Sequence, residues 1–153
     1  MNLFDRLLNL LYPPKCAFCR RLVSGERMLC EECEKNLPMV PVGRRRRELP
    51  PLDGCYSPLY YKDSVRLSLH RYKFHGAAAY HRIYAELMFR CLDGTDPAID
   101  FISWIPLSRK RRRKRGYDQA QLLAQELSRL AGIPCRQDVW RETQLVTQRL
   151  SHL

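Results

Sequence analysis
Apolar positions recur at helical spacing in several stretches of the chain, separated by prolines, glycines and runs of charge. Residues 2–11 carry Leu3, Phe4, Leu7, Leu8, Leu10 and Leu11, a helical pattern that Pro13-Pro14 stops. A cysteine-bearing segment over 15–37 should close with a short helix at 31–37, before Pro38. From Pro38 to Pro51 the chain is proline-rich and contains Gly43 and four arginines in a row, which reads as a linker or exposed arm. Residues 55–62 are aromatic and extended. Val65, Leu69 and Tyr72 then share one face of a helix over 63–74, with Arg66 and Lys73 on other faces. A second helix over 77–92 carries Tyr80, Ile83, Tyr84, Leu87 and Cys91, and Asp93-Gly94 ends it. Phe101-Ile-Ser-Trp-Ile105 has the make-up of a buried strand and stops at Pro106. After a basic loop comes the clearest helix. Asp118 caps it, Gln121 completes a capping box, Ala120, Leu123, Ala124, Leu127 and Ala131 line one face, and Gly132 and Pro134 end it. Residues 135–140 form a further candidate strand. The second half thus alternates helix and strand, an α/β pattern.

Composition changes this picture little. At 153 residues, 45% hydrophobic and 28% charged, the chain is globular in make-up, which excludes a collagen, a coiled coil or a wholly disordered chain. No apolar stretch reaches the ~18–20 residues of a membrane span, and the N-terminus lacks a basic n-region and a small-residue cleavage site. A cytoplasmic protein is expected. Net charge matters more. The excess of +11 is concentrated in two runs, Arg44–Arg47 and Arg109–Arg115. Such concentration points to a polyanion such as nucleic acid, or to a phosphorylated ligand, against the plainer reading of solvated loops.

Seven cysteines are an odd number in a chain with no export signal, which argues against a disulfide framework. Four of them form Cys16-Ala-Phe-Cys19 and Cys30-Glu-Glu-Cys33, two C-x-x-C knuckles with Ser24-Gly25 offering a turn between them. Each knuckle sets two thiolates on one side of an ion. Four thiolates with no open position describe a structural Zn²⁺ site, not a catalytic one. A [2Fe–2S] cluster is the alternative occupant. Lys15, Arg20 and Arg21 surround the site and would offset its negative charge, or are ordinary surface cations. Cys55, Cys91 and Cys135 read as small buried hydrophobes.

Ligands of open α/β sheets bind at the carboxyl ends of strands, where backbone amides and helix N-termini face them. The segment after Pro106 is such a place. Its candidate anion or nucleic-acid ligands are Arg109, Lys110, Arg111, Arg112, Arg113, Lys114 and Arg115, with Gly116 permitting the turn. Asp118 would repel an anion unless it serves only as a cap. His70, His75, His81 and His152 show no metal spacing, and Tyr56, Tyr60, Tyr61, Tyr72, Tyr80 and Tyr84 could stack bases or pack as core. No Ser/His/Asp set, carboxylate pair or Walker-type loop is present, and no catalytic residue is assigned.

The paired knuckles, the segment Leu69-His-Arg-Tyr-Lys-Phe-His-Gly76 and the segment Ile105-Pro-Leu-Ser-Arg-Lys-Arg-Arg-Arg-Lys-Arg-Gly-Tyr-Asp-Gln-Ala120 together resemble the ComF family. These are competence-associated bacterial proteins in which a zinc ribbon precedes a type I phosphoribosyltransferase-like domain. The resemblance runs from about Lys15 onward, and Arg115-Gly-Tyr-Asp-Gln-Ala120 is its most specific piece. Arg141 and Thr147-Gln148 fit a later family segment with imperfect spacing. The family's phosphate-cradling signature, a hydrophobic strand, two acidic residues and a Thr-Thr-Gly loop, has no counterpart before the chain stops at Leu153. The resemblance therefore implies a small four-cysteine zinc ribbon followed by an incomplete α/β phosphoribosyltransferase-like domain. The chain would be a truncated or frameshifted product, or one piece of a longer protein, whose open sheet edge burdens solubility. In that fold the loop after the first strand lies on the pyrophosphate side, which implies the same of Arg109–Gly116.

The expected organisation is an N-terminal helix (1–14), a zinc ribbon (15–38), a Pro/Arg-rich linker (39–54) and the transferase-like part (55–153). The expected function is binding of single-stranded DNA and of partner proteins of DNA uptake, a competence helicase among them. An enzymatic phosphoribosyltransferase of nucleotide metabolism is the alternative, inactive without the phosphate loop. A remnant whose zinc module still folds is the third reading.

Overall fold
The computed structural model describes residues 13–25, 27–50, 52–92 and 99–137. The expected helix at 2–11, the Asp93-Gly94 stop, the far end of the strand at 135–140, and His152 lie outside these residues. The first helix, α1 (Glu31–Asn36), is short because Pro38 follows it. Cys30 caps it, its Sγ accepting from the Cys33 amide.

The segment expected to be a linker is folded. Its arginine run passes through a 3-10 turn (Val42–Arg44) into strand β1 (Arg46–Leu49), which pairs antiparallel with β2 (Leu52–Tyr56). The register pairs Arg46 with Tyr56, Arg47 with Cys55 and Leu49 with Leu52, and a bulge falls between Arg47 and Leu49. Every residue of β1 is exposed, so the hydrophobic alternation that announces a half-buried strand is missing. Arginine side chains tie the hairpin down instead. Arg45 donates to the carbonyls of Val40 and Arg90, and Arg46 donates to that of Asp53. Cys55, expected to be buried, is exposed on β2.

Helix α2 (Asp63–Phe74) buries Val65, Ser68 and Tyr72 along one face. The next helix begins later than its pattern suggests. A 3-10 turn (Ala78–Tyr80) precedes α3 (His81–Leu92), whose Ile83, Tyr84, Ala85, Leu87 and Cys91 are buried. After the extended segment at 101–107 come α4 (Arg109–Arg115) and α5 (Gln119–Ala131). Asp118 caps α5 by accepting from the amides of Ala120 and Gln121, and Gly132 closes it in the left-handed conformation at φ +69°. Helices α3 and α5 pack side by side.

The core joins the N-terminal cysteine segment to the helices. Cys16, Ala17 and Phe18 are buried with Leu59, Val65, Tyr72, Ile83, Tyr84 and Leu87. Phe18 meets Tyr84 edge-on at 6.0 Å, while the Tyr72 ring lies 5.6 Å from Tyr84 and 5.9 Å from Tyr117. The buried phenols are satisfied: Tyr84 donates to Ser68 Oγ at 2.7 Å and Tyr72 donates to the Gln119 carbonyl at 2.7 Å.

Two expectations for the second half are corrected. Residues 101–105 do not form a strand: one parallel bridge, Ile102 with Cys135, is their pairing among the described residues. Trp104 is buried, but Ile105 is 70% exposed. Aromatic and β-branched content favours extension, yet a strand needs a hydrogen-bonded ladder, and among the described residues the Ile102 amide and carbonyl are the ladder groups engaged, with Pro134 and Arg136. The basic loop is also no loop. Arg109–Arg115 is helical and Gly116 ends the helix at φ +80°. The fold is mixed α/β. No helix among the described residues is long and apolar enough to cross a membrane.

Candidate metal centre and basic helix
The first knuckle is a tight reversal. The Cys16 amide donates to the Arg21 carbonyl, the Arg20 amide returns to the Cys16 carbonyl, and Lys15 pairs with Leu22. Arg20 turns the chain at φ +67°, a left-handed position held by a non-glycine residue. The Ala17 amide donates across to the Met28 carbonyl at 2.9 Å, which brings the second knuckle alongside. The second knuckle uses the start of α1, where Cys30 is the cap and Cys33 lies in the first turn.

These turns gather Cys16, Cys19, Cys30 and Cys33, whose sulfurs all lie within 4.8 Å of one another, with Cys19 Sγ and Cys30 Sγ at 3.5 Å. A tetrahedral zinc with Zn–S bonds of about 2.3 Å sets its sulfurs about 3.8 Å apart, so the four fit this ion. Their protonation also fits a cation. Burial works against ionisation at Cys16, but hydrogen bonds from the amides of Cys30, Cys19 and Phe18 outweigh it and bring this thiol down to about 6. Burial pushes Cys33 up and the neighbouring sulfurs push it further; Cys19 is raised as well, burial being the main cause. Four sulfurs this close cannot all ionise without a positive centre, and a dication supplies it. The site is a structural zinc centre with four protein ligands.

A residue outside the knuckles holds the first one in place. Arg71, on α2, donates through Nη2 to the carbonyls of both Ala17 and Phe18 at 2.8 Å. Sequence reasoning missed this role; what could have signalled it is that Arg71 sits between the buried Val65–Ser68–Tyr72 face and solvent.

The second candidate site is α4. Arg109 to Lys114 are exposed, Arg115 is half-buried, and none of the ion pairs among the described residues includes any of them. Gly116 is exposed at the end of the helix. Asp118, the feature that argued against an anion, is 4% exposed and committed to the backbone. Its Oδ1 accepts from Ala120 and Gln121, and its Oδ2 from the Leu107 amide at 2.8 Å. The structure does not gather the remaining sequence candidates with α4: Arg45 and Arg46 serve the hairpin, Tyr72 and Tyr84 are core, and Tyr60 and Tyr61 are exposed. Sequence reasoning did not bring Phe74 against Arg115, nor Gln119 against the Lys73 carbonyl, because both contacts join segments distant in sequence; the His70–Phe74 and His70–His75 contacts are local to the end of α2.

Two C-x-x-C knuckles, one on a reversal and one capping a helix, define the chain as a zinc-ribbon protein. The model of the double zinc ribbon domain matches residues 7–45. The chain is similar to the DNA utilization protein YhgH of Salmonella typhi, 33% identical over 125 residues covering 76% of this chain and 55% of that protein. It is 28% identical over 123 residues to the DNA utilization protein YhgH of Escherichia coli (strain K12), covering 74% and 53%. It is 26% identical over 141 residues to competence protein F of Haemophilus influenzae, covering 78% and 62%. The chain thus spans about half the length of the curated relatives it matches. No solved structure matches it significantly. The chain belongs to the ComF family.

Proposed function
We propose that the chain binds single-stranded DNA through the basic helix α4 and acts in DNA uptake, a reading supported by relatives named for DNA utilization and for competence. Partner proteins of uptake, a competence helicase among them, would act in the cytoplasm together with it. One observation carries this reading. Seven consecutive cations stand on one short helix, and no acidic side chain pairs with them among the described residues. Like charges at i, i+3 and i, i+4 destabilise a helix, so this arrangement gains most when a polyanion neutralises it. Zinc is structural in this reading. It holds the fold from which α4 projects.

Residues 55–153 are read as the first part of a phosphoribosyltransferase-like domain, supported by the family and by the order of two helices, an extended segment, a basic helix and a capped helix.

The test is the salt dependence of oligothymidylate affinity. Each neutralised phosphate of a single strand adds about −0.7 to the log–log slope. Reversing charge at Arg111, Arg112 and Arg113 together should flatten that slope by about 2; an unchanged slope would remove α4 from the interface. Saturable displacement of the DNA by phosphoribosyl pyrophosphate at moderate salt would favour the transferase-like reading over DNA alone.

A further inference from the structure
The basic helix does not end in open solvent. Its last residue, Arg115, sets its guanidinium 4.9 Å from the ring centroid of Phe74, in the last turn of α2. The His70 ring lies one turn earlier, 4.9 Å from Phe74 and 5.0 Å from His75, with His75 Nε2 and His70 Nδ1 3.2 Å apart. Phe74 is nevertheless 55% exposed.

A single exposed phenylalanine is unremarkable in itself. What distinguishes this one is that hydrogen bonds beneath it fix its position against the cations. Gln119, 6% exposed, accepts from Arg115 Nη1 at 2.8 Å and donates through Nε2 to the Lys73 carbonyl at 3.5 Å. Tyr72 donates to the Gln119 carbonyl, and Tyr117 donates back to the Tyr72 carbonyl. The end of α2 and the α4–α5 junction are thereby joined, with the exposed Phe74 ring set against Arg115, the last cation of the basic helix. Non-sequence-specific binding of a single strand needs both parts: cations that follow the phosphates, and a ring on which a base can stack.

Resting on the nucleic-acid reading above, we infer that Phe74, flanked by His70 and Arg115, is a base-stacking platform for single-stranded DNA whose phosphates run along α4. A base stacks on the phenyl ring through its π-face, so the platform accepts any base, while Arg115 and the imidazoles supply donors for the adjacent phosphate or base edge.

The test compares oligothymidylate with an abasic deoxyribose-phosphate oligomer of equal length, binding each to the zinc-loaded full chain at several salt concentrations by fluorescence anisotropy. Phe74→Ala should weaken oligothymidylate binding by roughly tenfold, leave the abasic oligomer unaffected and leave the salt slope unchanged. Phe74→Trp should retain wild-type affinity, and the added indole fluorescence should be quenched by oligothymidylate but not by the abasic oligomer. If Phe74→Ala weakens both oligomers equally, or neither, the platform is overturned while DNA binding stands. If the wild-type chain binds neither oligomer, the DNA reading fails and the platform with it. Should Phe74→Ala lose its zinc, Phe74→Trp decides: quenching by oligothymidylate supports the platform and its absence overturns it.

Discussion

Arg71 illustrates how a single side chain can couple two parts of this molecule. Its two donated hydrogen bonds reach the carbonyls inside the first knuckle from a helix more than fifty residues away in sequence. A charged donor bonded to a buried carbonyl is worth about 1.5–3 kcal/mol. Arg71→Ala should therefore leave zinc extractable at roughly tenfold lower chelator concentration, whereas Ala at the exposed Arg66 of the same helix should change nothing. A chelator competition on both variants checks this. The thiols predict a direction with pH. Because Cys33 and Cys19 are held above the ordinary thiol value by burial before any ion binds, zinc must displace their protons. Affinity should fall as pH falls, read as metal release to a colorimetric indicator during acid titration. The tyrosines act at the other extreme. Burial pushes Tyr84 up to about 12, against the opposing effect of its bond to Ser68, and burial raises Tyr72 as well. Both phenols have folded values above their ordinary ones, so their contribution to stability is fully present below about pH 10 and lost as pH rises through the folded values. Ultraviolet titration should show these phenols ionising only with alkaline unfolding, and Tyr84→Phe should make that unfolding less steep with pH.

At the level of elements, what the sequence discloses depends on what holds each element together. Helix α2 is readable over its full length because it buries one face at 3.6-residue spacing. Helix α5 is readable because local capping chemistry, Asp118 before it and Gly132 after it, marks both ends. The zinc ligands are readable because a metal knuckle is a local spacing. The hairpin β1–β2 is not, since both its strands are largely exposed and arginine side chains, not a hydrophobic face, fix it. Nor is α4. Seven cations have no apolar period, and their helix depends on a glycine cap and on the Arg115–Gln119 bond at its end. The residues 101–105 err the other way: their composition fits a strand, but a ladder is a property of neighbours that composition does not contain. For α4 a specific consequence follows. Gly116 has open space for a methyl group but a φ of +80°, so Gly116→Ala should cost about 1 kcal/mol from backbone strain alone. Thermal denaturation would show that loss, and Gly116→Asn should largely avoid it.

On the scale of the whole molecule, the zinc ribbon and the helices share one core and are not two modules joined by a tether. Phe18, inside the first knuckle, is 2% exposed and packs edge-on against Tyr84 of α3. Phe18→Ala should therefore cost about 3–5 kcal/mol and lower the stability of the ribbon and of α2 and α3 together, seen as a single transition by both metal release and far-ultraviolet circular dichroism. The same coupling would let a structural ion support the DNA surface proposed on α4. Zinc fixes the knuckles, the knuckles and Arg71 seat α2, and the Tyr72–Gln119–Arg115 contacts seat α4 on α2. The measurement that tests this most directly is native mass spectrometry of the chain during chelator titration. The account predicts one zinc per chain and a shift of the whole chain to high, unfolded charge states as that zinc leaves. A chain that carries no zinc, or that loses its zinc while keeping the compact charge states, would contradict it.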